Sequence, residues 1–274
     1  MRNTAAGRRT AIVADPLGNG ARAAAEAGTA AAGGARRHFA AVSEPADRPG
    51  QLRIENGTLE AIKWLALLLM TGDHINKYAL GDGSAVLFAF GRLVMPLFGF
   101  VLAYNLARPG AADSGMYGRL AKRLAIFGAI SSPAFIALGG VVDGWWPLNI
   151  FFTLLVTTAC AWCFFEGGGW QRKLLGLAVL AIGGSSVEFW WAAIMMDLAL
   201  VGWFKSGGRA WWMAVAVAAA FLLWPVNHDE WALAAFPLML AAPHIKLRIP
   251  RIRWAFYAYY PALLYALLAW RWTA

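Results

Sequence analysis

Ionisable residues stand in this sequence where an apolar run should exclude them. The run that starts at Leu59 continues through Lys63-Trp64 and Leu65 to Met70, and then reads Thr71-Gly72-Asp73-His74-Ile75-Asn76-Lys77-Tyr78. Asp73 and Lys77 are four apart and share a helix face, with His74 flanking it. An ionisable side chain at membrane depth costs on the order of 3 kcal/mol. Three together are tolerated only if they face protein or water. They then read as a reactive site, in which His74 can exchange a proton near neutral pH. The alternative is a structural Asp73–Lys77 pair with His74 merely hydrogen-bonded. Arg92 lies about as deep in the next apolar run, which an antiparallel arrangement sets beside the first. Asp73, His74, Lys77 and Arg92 are therefore expected to form one buried constellation. Arg92 serves it as a reactive cation, as the counter-ion of Asp73, or as both. Gly91 and Pro96 allow close helix approach and a bend there.

Other polar residues are candidates of a second kind. Asn149, near the end of a later run, reads as an inter-helix hydrogen bond or a substrate contact. Asp197 in Met195-Met196-Asp197 is deep enough to need a partner, and is either structural or substrate-binding. His228 falls in a polar break and His244 beside Lys246 at an interface. Cys160 and Cys163 spell C-x-x-C inside an apolar helix with no βαβ pattern around it, so redox chemistry is not expected. No metal-ligating cluster is expected. No phosphate-binding glycine loop, zinc-protease motif or nucleophile elbow occurs, so those readings have no support.

The elements that must position these residues follow from composition. Of 274 residues, 60% are hydrophobic and only 14% charged, with 15 Trp and 16 Phe. A soluble domain carries about 25% charged residues. The sequence therefore predicts an all-α, polytopic integral membrane bundle. About nine apolar runs are long enough to span: 59–80, 86–107, 123–141, 147–165, 172–187, 189–204, 210–226, 231–244 and 254–272. The fifth, sixth and eighth are short, so eight spans with a re-entrant piece is the alternative. Asn56 or Thr58 is placed to cap the first helix. Residues 1–53 are Ala, Gly and Arg rich with no apolar period, and are expected to be a flexible cytoplasmic tail ahead of a 54–274 membrane domain.

Charge sets the expected orientation. The net charge is +9, and eight of the 24 basic residues lie in the first 53 positions. With the tail cytoplasmic, the inner connections hold Arg108, Arg119, Lys122, Lys205, Arg209, Lys246, Arg248, Arg251 and Arg253, with Arg123, Arg172 and Lys173 at their edges. The outer breaks hold Asp82, Asp143, Asp229 and Glu230, with Glu188 at the edge of another, and no Lys or Arg. That bias predicts N-in, C-out topology. It also assigns the positive charge to lipid headgroups rather than to nucleic acid.

The stretch from Asn56-Gly57-Thr58-Leu59 through Lys63-Trp64 to Thr71-Gly72-Asp73-His74-Ile75-Asn76-Lys77 resembles the opening block of the TraX family. Further blocks keep the family order: Gly91-Arg92-Leu93 with Pro96-Leu97-Phe98, Tyr104 to Pro109, Arg119-Leu120 with Arg123-Leu124, Ser131-Ser132-Pro133, Leu148 to Leu155, and Phe256 to Pro261. The likeness covers about 56–268. One departure is Leu263, where many relatives carry a His. The resemblance implies a bacterial inner-membrane protein of conjugative pilus biogenesis that acetylates the N-terminal amine of a pilin subunit, with acetyl-CoA as donor. His74 would be base or acyl carrier, and Lys77 or Arg92 would face the oxyanion. The basic inner loops at 119–123, with Arg119 and Arg123, and at 246–253 would hold the phosphates of coenzyme A, or carry charge only as the topology rule requires; Lys63 would line the donor's entrance or snorkel to the headgroups. Another pilin-processing step, such as assistance to cyclisation, and a non-enzymatic transporter or assembly scaffold are the alternatives.

Overall fold

In the computed structural model the described residues are 52–273 other than Val141, Asp143 and Arg253. The expected tail, the acidic residue at 143 and the basic one at 253 lie outside them, apart from the tail's last two residues. The described chain is all helical, with one isolated bridge between Leu148 and Val187 and no strand.

Among the described residues each apolar run read from the sequence contains helix, although the runs at 123–141 and 147–165 are not helical to both ends and 231–244 is broken into short turns. α1 is Asn56–Ala79; α2, Ala85–Gly91, and α3, Val94–Leu106, make up the second run. α4 is Met116–Ala137, α5 Ile150–Phe165, α6 Trp170–Ser186 and α7 Trp190–Lys205. α8, Ala210–Phe221, is followed by the short α9, Trp224–Asn227. A 3₁₀ turn, Trp231–Ala234, leads into α10, Ala235–Ala241, and α11 is Ala255–Thr273. Three stretches, Ala85–Leu106, Met116–Ala137 and Ala210–Asn227, are long and apolar enough to cross a membrane. The Ile150–Phe165 and Trp231–His244 stretches are apolar but shorter. α1 is 24 residues long and is interrupted by the charges described above.

α3 and α7 are apolar around most of their circumference, which marks helices enclosed by others. They pack on each other, and α7 also touches α5, α6 and α8. α1 packs against α2, α3 and α11, while α4 lies between α5 and α11. Small residues set the closeness of the central pair: a Cβ at Gly99 of α3 would fall on the Asp197 carboxylate of α7.

Alternate connections meet at opposite ends of the bundle. At one end Arg108 donates to Asn56 Oδ1 at 2.7 Å, Lys205 pairs with Glu166 at 2.7 Å, and Arg251 Nε lies 3.8 Å from Glu60. At the other end Lys77 reaches the backbone of Gly140, and Trp146 donates to the Ser185 carbonyl. Neither expected cap of α1 caps it. Thr58 Oγ1 instead donates to the Ile245 carbonyl at 2.6 Å and accepts from Leu247 N, and Asn56 is taken by Arg108. The chain returning at 245–247 competes successfully for the hydroxyl.

Candidate active site

The second apolar run breaks at Arg92, and the break has a covalent cause. Pro96 has no N–H to give to the Arg92 carbonyl, and its ring crowds that carbonyl. α2 therefore ends at Gly91, the chain turns through Arg92 and Leu93, and α3 begins at Val94. The turn points the guanidinium across to α1, where Arg92 Nη2 donates to Asp73 Oδ1 at 3.2 Å. Gly91 permits this, because a Cβ there would collide with the Asp73 carboxylate. Asn76, fully buried, fixes the register of the two helices: its Oδ1 accepts from Ser84 N at 2.8 Å, and Ser84 in turn caps α2.

Arg92 is heavily engaged. Besides Asp73 it donates to Asn227 Oδ1 at 3.3 Å and to the Phe88 carbonyl at 3.4 Å, and its guanidinium lies 4.2 Å from the Phe88 ring centre. Lys77 is not the partner of Asp73. Its ammonium spends one of three N–H donors on the Gly140 carbonyl at 3.1 Å. Of the two cations, Lys77 thus keeps more capacity for a new acceptor.

His74 is oriented by its own helix. Nδ1 lies 2.9 Å from the Met70 carbonyl, an acceptor with no proton to give, so Nδ1 carries the hydrogen. In the neutral ring, Nε2 is then the free base. Asp73 Oδ2 stands 3.8 Å from Nδ1, too far for a hydrogen bond but close enough to stabilise an imidazolium. The Tyr260 ring stands edge-on to the imidazole at 5.7 Å between centres.

These residues line a cavity of about 290 Å³. Met70, Asp73, His74, Lys77 and Tyr78 come from α1, Gly91 and Arg92 from the helix break, Tyr260 from α11, and Pro225 and Val226 from α9. The α6–α7 junction closes the wall with Glu188, Phe189 and Trp190. All four residues expected to form the constellation are therefore brought together.

Glu188 is the member that sequence reasoning passed over. Its backbone is clamped: Glu188 N donates to the Leu148 carbonyl at 2.9 Å, and Thr153 Oγ1 donates to the Glu188 carbonyl at 2.7 Å. The next two residues, Phe189 and Trp190, hold φ of +64° and +50°, a strained region for bulky side chains. Burial lifts the carboxyl, with Lys77 and Arg92 opposing and Asp73 reinforcing, so that it titrates at about 7. The available signal was its position: one acid between two apolar runs with no room for a loop.

The remaining candidates lie elsewhere. Asn149 is fully buried and outside the cavity lining. Its Oδ1 caps α5 through Phe151 N, and its amide donates to the Gly128 carbonyl at 3.0 Å and to Ser132 Oγ at 3.2 Å. Asp197 is also fully buried; Thr157 Oγ1 donates to its Oδ2 at 3.3 Å, and it takes no part in the cavity. Lys63 pairs with Glu60 and lies over the Phe256 ring at 4.2 Å. Arg123 faces Trp254 at 5.1 Å and Tyr257 at 5.9 Å. Lys63 and Arg123 thus flank the aromatic start of α11, whereas Arg119 donates to the Ser114 carbonyl. Cys160 and Cys163 are buried free thiols. Among the described residues there is no group of His, Cys, Asp and Glu suited to a metal.

A family model, described as TraX protein, matches residues 58–271. No curated protein and no solved structure matches the chain. The match takes in every cavity-lining residue, and this chain belongs to the TraX family.

Proposed function

We propose that the chain is an inner-membrane acetyltransferase that acetylates the N-terminal amine of a conjugative pilin subunit, with acetyl-CoA as donor. Family membership fits a pilin-processing role in conjugation. The observation that carries the finer reading is the single cavity in which His74 Nε2 is free, Lys77 has unspent donors, and Asp73 is neutralised by Arg92. Acyl transfer needs a base for the amine proton and a positive group facing the carbonyl oxygen as it becomes an oxyanion. His74 Nε2 takes a proton from the attacking amine and returns it to the departing thiolate. A C–N bond forms and a C–S bond breaks, while Lys77 faces the oxyanion.

The cavity fits an acyl group with an amine terminus, not a whole coenzyme A. Lys63 and Arg123 are the residues that would hold the donor's phosphates, and the donor supplies the activated acyl thioester. Lys63 and His74 are eleven positions apart on α1, about 16 Å along the axis, so in this reading the donor runs along α1 from its phosphates to the acyl group. In this reading all nine helical runs span the membrane, the Asn56 end faces the cytoplasm, and the cavity opens toward the periplasm.

The test is the intact mass of the mature pilin with and without this gene. The proposal expects an acetyl increment that is lost on deletion. A loss of water would mark cyclisation instead, and an unchanged mass would favour a scaffold.

A further inference from the structure

Proton bookkeeping in the cavity calls for a second acceptor. An α-amine arrives mainly as an ammonium at neutral pH, since its pKa is about 8. Forming an amide from an ammonium and a thioester gives the amide, a thiol and one net proton. The nitrogen loses two hydrogens: one reaches the thiolate sulfur, and the other must leave. His74 can carry only one, because its Nδ1–H is committed to the Met70 carbonyl. Asp73 has its charge balanced by Arg92 at 3.2 Å. Lys77 as an ammonium, and Tyr78 and Tyr260 as neutral phenols, hold protons rather than take them.

Resting on the acyl-transfer reading, we propose that Glu188 is a second catalytic residue, which binds the incoming ammonium and takes its first proton, leaving His74 to take the next. Glu188 lines the same cavity as His74 from the α6–α7 junction, where its backbone N–H and carbonyl are held by Leu148 and Thr153 and the following two residues adopt positive φ. Its carboxylate binds the ammonium; an N–H bond breaks, an O–H bond forms, and the neutral amine keeps the lone pair that attacks the carbonyl. The carboxyl returns its proton to solvent at the mouth, where Val142 and Trp190 are exposed. The groups that set its charge are Lys77, Asp73 and Tyr78 on α1, Arg92 at the helix break, Tyr260 on α11 and the Ile150 N–H at the start of α5. Titration at about 7 makes the carboxyl able both to accept this proton and to release it.

The experiment uses the full chain in lipid nanodiscs, an acyl donor and two acceptor peptides. One has a free α-amine; the other is aminooxy-terminated, so its nitrogen is already neutral at pH 7. Glu188→Gln is expected to lower kcat about 10²-fold for the α-amine and to leave the aminooxy acceptor near wild type. His74→Ala is expected to lose both. Equal rates, or equal losses, on the two acceptors with Glu188→Gln would overturn the assignment. A pH profile supplies a second readout: the ratio of α-amine to aminooxy kcat should rise through about pH 7 with the wild-type protein and only toward the amine's own pKa of about 8 with Glu188→Gln, and superimposable profiles would overturn the assignment as well. Wild-type protein that acetylates neither acceptor would instead remove the acyl-transfer reading itself.

Discussion

His74 is held by a bond that any helix offers, its own Met70 carbonyl four residues back, and this leaves Nε2 for chemistry. His74→Ala should accumulate normally and lose pilin modification by about 10²–10⁴-fold, as removal of a general base does; immunoblotting with pilin mass spectrometry checks both halves. Lys77→Gln should lower kcat by about 10²–10³-fold with little change in KM, the signature of a group that acts on the oxyanion. Arg92→Gln should cut accumulation, because a half-buried Asp73 loses its partner, and Asp73→Asn in the same chain should restore it. Normal accumulation of both single variants would show that the pair carries no structural load. Asp73, His74, Lys77 and Arg92 were legible because charge in an apolar run is conspicuous. Glu188 was less so, since an acid at the edge of a polar break draws no attention unless the break is seen to be too short for a loop. The partners of Asn149 and Asp197 were hidden for another reason: a backbone carbonyl such as that of Gly128 leaves no mark in a side-chain pattern.

At the scale of elements, the break between α2 and α3 decides where the Arg92 guanidinium points. Pro96→Ala restores an N–H for the Arg92 carbonyl and should straighten 85–106, with activity falling while the protein stays folded. Gly91→Ala places a methyl on the Asp73 carboxylate and should lower stability by roughly 1–3 kcal/mol, read by thermal unfolding in detergent. Asn149→Ala tests the opposite expectation: loss of the α5 cap costs about 1 kcal/mol, with modification retained. The helical runs themselves were readable because length and apolar continuity dictate them. The division of the second run was only hinted at by Gly91 and Pro96. The lost cap at Thr58 was unreadable, because the competitor arrives from nearly 190 residues later in the chain.

For the whole molecule, the contacts gather alternate connections at opposite ends, as a chain of antiparallel crossings requires. Cys160 and Cys163 are buried, so an introduced thiol can be read against a quiet background. A Cys in the 81–84 break should react with an impermeant reagent from the periplasm, and one beside Arg209 should not; reversed labelling would overturn the proposed orientation. The central claim is that this cavity moves an acetyl group onto a pilin amine. Purified protein in proteoliposomes, given deuterium-labelled acetyl-CoA and mature pilin, tests it most directly through the mass of the pilin's N-terminal peptide. The account predicts labelled acetyl on the N-terminal nitrogen with wild-type protein and none with His74→Ala. Equal label with both, or label on neither, would contradict it.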